Sequence, residues 1–146
     1  MEYNHVIIPY PYNLCLVMSS HLLLNSSYMS YYKGETQLSY LLLINYICSV
    51  LYWIDSNKNN PWRYLDIIFV FVTIMCLKFK LIMTNFDLSV FNFTLPIIAF
   101  IFTCNEINFW FKIKKKCIDY LVAVTIHMFV VHIGFYVTFL FSIRKY

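Results

Sequence analysis

Four runs of apolar residues, each about as long as a bilayer crossing, constrain this chain more than any other feature. A spanning helix needs about 20 mainly apolar residues, with roughly 17 to 25 tolerated. The first run covers residues 38–54 (LSYLLLINYICSVLYWI), with Gln37 just before it. It ends at the polar stretch DSNKNNPWR, where Asn59, Asn60 and Pro61 stop a helix. The second covers about 64–83, and its Lys78 and Lys80 lie where long side chains snorkel to headgroups. The third covers 88–104 and contains Pro96; the fourth covers 117–143 and is long enough to tilt. The pattern predicts an all-α membrane protein, a bundle of about four transmembrane helices.

Residues 6–24 (VIIPYPYNLCLVMSSHLLL) are apolar too, but Pro9, Pro11, Asn13, Ser19, Ser20 and His21 interrupt them. They predict an N-terminal interfacial or re-entrant helix beginning near Asn13, with a fifth span as the alternative. The chain then divides into an N-terminal segment, 1–37, and a transmembrane bundle, 38–146. No basic residue precedes the first apolar stretch and the first lysine is Lys33, so neither a secretory signal nor a transit peptide is expected.

Composition agrees. Hydrophobic residues make up 61% and charged residues 12%, against about 25% charged in soluble domains. A small globule has too much surface for its volume to hide that much apolar area. The net charge of +4 is modest, and the basic residues sit at the ends of apolar runs, so nucleic acid is not an expected partner. Two Gly and two Ala against 14 Phe and 13 Tyr predict packing by bulky aromatics rather than by small-xxx-small contacts. With nine Lys to two Arg, 18 Ile and 11 Asn, the bias suggests an AT-rich genome. Lys and Arg divide five to six between alternate sides, so orientation is not readable from charge. Trp53, Trp62, Trp110, Tyr52, Tyr64, Tyr120 and Tyr146 fall at run ends or loops, the interfacial depth that amphipathic rings prefer.

Five scattered cysteines (Cys15, Cys48, Cys76, Cys104, Cys117) show no metal-knuckle spacing and read as buried free thiols. Asn25–Ser26–Ser27 makes a glycosylation sequon, relevant only if its loop faces a lumen, and Asn92–Phe93–Thr94 makes another inside a run. Glycine-rich phosphate loops, HExxH, G-x-S-x-G and channel-filter sequences are absent.

Each run carries one polar stripe at helical spacing: Asn45, Ser49 and Tyr52; Asp66 and Thr73; Ser89, Asn92, Pro96 and Thr103; Tyr120, His127, Gly134 and Thr138. Such stripes avoid lipid, because unpaired polar groups are costly in hydrocarbon. The strongest chemical candidates are Asp66, His127 and His132, since ionisable groups within a span are functional candidates by default. Asp66 is also near a helix start, where a carboxylate caps backbone N–H groups. The histidines are five apart, about 140° around a regular helix, and only a π-bulge would bring them together.

Ser49, Trp53, Asp66, His127 and His132 together resemble the pattern of alkaline ceramidase-like (CREST-type) membrane hydrolases. That family carries a Ser and a His four apart on one helix, an Asp soon after on the next, and a close His pair on a late helix. The resemblance implies a zinc held by three His with Ser and Asp assisting, which maps Ser49 and Asp66 to catalysis and His127 and His132 to metal binding. Trp53 stands where the third His would be, the His pair is spaced five rather than four, and seven spans exceed those available. The resemblance therefore implies a relative without catalysis.

The sequence thus predicts a non-enzymatic, multi-pass structural or accessory subunit of a larger membrane assembly. Its partners would be the lipid bilayer and other membrane subunits, with no cofactor and no metal. A metal-dependent hydrolase using Asp66, His127 and His132 is the alternative. A small transporter or channel component with Asp66 as polar gate comes third.

Overall fold

A computed structural model describes residues 8–57, 59–83 and 117–143. The third apolar run with its polar stripe, the second sequon and the lysines at 112–116 lie outside these. Every element among the described residues is helical. α1 is Tyr12–Tyr32, α2 is Thr36–Ile54 and α3 is Pro61–Met83. A last rod follows without interruption: α4 (Cys117–Ile126), a π-helical segment (His127–Ile133) and α5 (Gly134–Ile143). Two stretches are long and apolar enough to cross a membrane: Thr36–Ile54, of 19 residues, and Tyr120–Leu140, of 21.

The rods form a closed ring in which α1 touches α2, α2 touches α3, α3 touches α5, and the last rod returns to α1. Side-chain contacts fix the directions. The Asn13 amide donates to the Trp53 carbonyl (3.0 Å) and the Ser27 hydroxyl to the Ser39 carbonyl (2.8 Å), so α1 and α2 are antiparallel along their lengths. The last rod is parallel to α1, since Tyr12 stacks near Tyr120 (6.0 Å) and Asn25 donates to the Tyr136 hydroxyl (2.8 Å). An ion pair from Lys80 to Glu35 sets the end of α3 beside the α1–α2 turn.

Two corners show why the chain turns where it does. After α1, the Glu35 N–H reaches the Ser30 carbonyl (2.9 Å) and the Gly34 N–H that of Tyr31 (3.0 Å). This is the Schellman pattern, and it requires the left-handed conformation that Gly34 supplies at φ 80°. Between α2 and α3, Asn60 serves both helices. Its Nδ2 donates to the Asp55 carbonyl (2.7 Å), and its Oδ1 accepts from the Trp62 N–H (3.0 Å) with Pro61 in the first helical position.

The core has two apolar clusters separated by a polar waist. Leu23, Leu38, Leu42, Ile74, Leu77, Phe135, Phe139 and Ile143 fill the end near the α1–α2 turn. Ile8, Leu16, Tyr52, Trp53 and Val124 fill the other. Contrary to the aromatic packing expected from composition, α1 meets α2 through serines, Ser20 against Ser49 and Ser27 against Ser39, while Ser19, Ser26 and Ser30 are buried as well. Serine is small enough to let backbones approach, and it returns its hydroxyl to its own helix. Ser19 and Ser20 both donate to the Leu16 carbonyl (3.0 and 2.8 Å), and Ser26 donates to Leu22 (2.9 Å). Serine thus takes the place of Gly and Ala as the small residue of this helix contact.

The double role of Asn60 gives a test. Asn60→Ala removes a cap from each of two helices and should lower stability by about 1–2 kcal/mol in denaturant titrations of the detergent-solubilised chain. Asn60→Ser restores only the α3 cap and should recover part of the loss. An unchanged midpoint for the alanine variant would show that the corner is held otherwise.

Candidate functional site

The waist draws polar groups from every rod, and a hydrogen-bond chain runs through it. The Ser49 hydroxyl on α2 lies 3.1 Å from the Ser20 hydroxyl on α1. The Asp66 carboxyl on α3 lies close to Ser49. Asp66 is not a helix cap. α3 begins at Pro61 and Asn60 occupies the cap, which leaves Asp66 more than a turn inside and pointing towards α2. Its Oδ1 is buried without a hydrogen-bond partner.

One turn from Ser49 on the same face of α2, Asn45 is only 1% exposed, and neither its Oδ1 nor its Nδ2 has a partner. Buried amide groups are rarely left so in native folds, and each orphan costs roughly 1–3 kcal/mol. Thr73, aligned with Asp66, is buried but satisfied by the Phe69 carbonyl (2.7 Å) of its own helix.

The last rod supplies the histidines. Within a regular helix, positions 127 and 132 would face apart. Here the backbone is π-helical from His127 to Ile133. Its i→i+5 hydrogen bonding sets residues five apart nearly above one another. The ring centres of His127 and His132 are consequently 5.2 Å apart. His132 is 6% exposed and lies against the backbone of Ser19; His127 is half-buried. The indole of Trp53 meets His127 edge-on at 5.2 Å and lies 4.3 Å from the Tyr52 ring, with its Nε1 buried and unpartnered.

The structure thus gathers Ser49, Trp53, Asp66, His127 and His132, named from the sequence, around one level of the bundle. Two imidazoles on one tetrahedral zinc have centres roughly 5 Å apart, given about 2.0 Å per zinc–nitrogen bond. The histidine pair meets that spacing. The whole donor set does not meet the requirement: among the described residues no three His, Cys, Asp or Glu side chains group closely enough to hold a metal. Trp53, which cannot ligate, fills the space beside His127.

Ser19 and Ser20 were not recognised as site residues. Their signal was present: the pairs Ser19–Ser20 and Ser26–Ser27 repeat at seven residues, which marks one helix face. The first sequon lies within α1 rather than in a loop, with Ser26 and Ser27 buried and the Asn25 amide bonded to Tyr136. Of the thiols expected to be buried, Cys48 is buried while Cys15 and Cys76 face outward. Comparison with protein-family models, with curated proteins and with solved structures finds no match to this chain.

A double-mutant cycle tests the chain of hydroxyls. Ser20→Ala and Ser49→Ala should each destabilise mildly and show a coupling of about 0.6 kcal/mol, the average for interhelical hydrogen bonds in membranes. Strict additivity in unfolding measurements would mean that the two hydroxyls do not act on each other.

Proposed function

We propose that this chain is a multi-pass integral membrane protein serving as a non-enzymatic structural or accessory subunit of a larger membrane assembly. The observation that carries this reading is an inverted distribution of polarity. Ser20, Ser26, Asn45, Ser49, Thr73 and His132 are buried, while Ile44, Ile47, Ile68, Phe71, Val72, Met75, Phe79, Leu121, Val122 and Phe129 are exposed. Soluble proteins rarely expose so continuous an apolar surface. Hydrocarbon around the bundle removes that cost.

The directions of the helices support further crossings. α3 ends beside Glu35, and α4 begins near Tyr12, at the opposite end of α1. Met83 and Cys117 thus lie towards opposite ends of the bundle, and the sequence between them offers the apolar run 88–104 as a candidate span. α1 has 21 residues and lies along α2. At 1.5 Å per residue it is about as long as the roughly 30 Å hydrocarbon core is thick. We place it as a fifth crossing rather than an interfacial helix. Tyr28, Tyr31, Tyr32 and Tyr40, exposed at one end, and Tyr10, Trp62 and Tyr64, exposed at the other, suit the two headgroup layers.

The assembly role rests on α1. His21 and Asn25, one turn apart in the middle of this helix, are exposed. At that depth such groups face protein or water rather than acyl chains. Trp53, standing where a third ligand would be needed, supports the non-enzymatic part. A specific observation favours the hydrolase as a second reading: the π segment brings His127 to His132, and Ser49 meets Asp66 in the same layer.

Two measurements test these readings. With five crossings, reporters fused before α1 and after α5 fall on opposite sides of the membrane; reporters on one side would remove a crossing, with α1 the first to go. Purified in mild detergent, the chain should elute in a complex larger than its 17.6 kDa, with zinc well below one per chain. A lone monomer would defeat the subunit reading. One zinc per chain, lost in His127→Ala, would put the hydrolase first.

A further inference from the structure

We infer that two copies of this chain pair side by side in the membrane along the outer face of α1, with Asn25 of each at the centre of the contact. The inference names the partner that the subunit reading leaves open, and it rests on α1 being a crossing.

The argument starts from spacing. On α1 the residues Leu14, Met18, His21, Asn25, Tyr28 and Tyr32 are all exposed. Their intervals run four, three, four, three, four, the alternation of a heptad seam. Leu16, Ser20, Leu23, Ser27 and Ser30 carry the same alternation on another face of the helix, and they are buried. α1 therefore has two seams. One is filled by its own bundle and one is open.

An open apolar seam needs no partner in hydrocarbon. The outward faces of α2 and α3 are of that kind, with Ile44 and Ile47 on one and Ile68, Phe71, Val72 and Met75 on the other. α1 differs, because His21 and Asn25 lie in the middle of its open seam. Polar groups at that depth face protein or water rather than acyl chains. Neighbouring tyrosines hold both side chains in place. The His21 Nδ1 donates to the Val17 carbonyl (3.0 Å), which leaves Nε2 to accept from the Tyr46 hydroxyl (3.4 Å). Asn25 gives one amide hydrogen to the Tyr136 hydroxyl (2.8 Å). An amide has a second hydrogen and a carbonyl oxygen with two lone pairs, so Asn25 keeps a donor and an acceptor for a partner.

The partner's identity follows from symmetry. Copies inserted by one route share an orientation, so a two-fold axis along the membrane normal sets each seam residue opposite itself. An amide complements an amide, and each Asn25 can donate to the other. A different subunit would have to bring a matching group to that depth; a second copy brings it by construction. A slip of one heptad would set Asn25 against Met18 or Tyr32 and strand both amides in hydrocarbon. A single Asn in a parallel seam fixes register and the number of chains in this way.

The test is association of the full chain in lipid vesicles, read as energy transfer between two fluorescently tagged populations at rising protein-to-lipid ratio. The wild type should show saturable transfer with one partner per chain. Asn25→Ala should weaken the pair about five- to thirty-fold, the range for a polar contact between membrane helices. Asn25→Gln, which keeps an amide, should recover most of the loss, and Phe71→Ala on α3 should change nothing. Oxidative cross-linking reads the seam directly, in a chain whose five cysteines are serine. Met18→Cys and Tyr28→Cys should form dimers there, while Ile47→Cys and Phe71→Cys should not. Should the cysteine-free chain fail to fold, the energy-transfer comparison decides alone. Wild-type chains that stay monomeric at every ratio, or undiminished pairing in Asn25→Ala, would overturn the seam. So would Met18→Cys that neither cross-links nor reacts with a thiol reagent, because a different subunit or another part of the chain then covers the face. A larger complex in mild detergent without α1 cross-links removes the self-pairing and leaves the subunit reading intact. A dimer holding no other protein keeps the pairing and removes the larger assembly.

Discussion

The approach of α1 to α2 through serines is the contact on which the rest of this bundle depends. Ser27 against Ser39 and Ser20 against Ser49 pin two antiparallel helices at two levels, with donor–acceptor distances of 2.8–3.2 Å. A larger residue at either level would push the backbones apart, and both apolar clusters would lose their fit, since each draws on α1 and α2 together. Ser20 also ends the polar chain that reaches Asp66. One short side chain therefore sets the helix spacing and joins the waist across three helices.

The waist is the polar layer of an otherwise apolar core. Phe139, Leu42 and Leu77 fill one side of it with side chains that need no partners, and Leu16 and Trp53 bound the other. Between them sit a carboxylate, two imidazoles, an amide and several hydroxyls. Some are satisfied within their own helix, as Ser20 is by Leu16, and others are not, as with Asn45 and the Oδ1 of Asp66. Natural proteins keep such groups inside chiefly for function or for specificity of pairing.

Much of this was legible in the sequence. The edges of α2 followed from apolar run length, since hydrocarbon or core must cover every residue between two polar stops. The stripe Asn45–Ser49–Tyr52 predicted an inward face because helical period and burial are one geometric fact. Asp66 as a helix cap was misread: its distance from Pro61 shows it to be past the first turn, but only Asn60, bonded to both helices, makes the cap unavailable to it. The serine seam was missed because small-residue packing was sought in Gly and Ala. The meeting of His127 with Trp53 and of His132 with Ser19 depends on contacts between helices far apart in the chain, which no local pattern encodes.

The π segment carries a lesson about motifs. Relative to an α-helix it accommodates one additional residue in the loop between its histidines while keeping their rings as neighbours. A helix that absorbs an insertion in this way preserves an arrangement in space and erases its spacing in the text. A pattern written as two histidines four apart passes over this chain, although its two imidazole rings are neighbours. Motifs for helical membrane proteins are better written as neighbours on a surface than as intervals along a line.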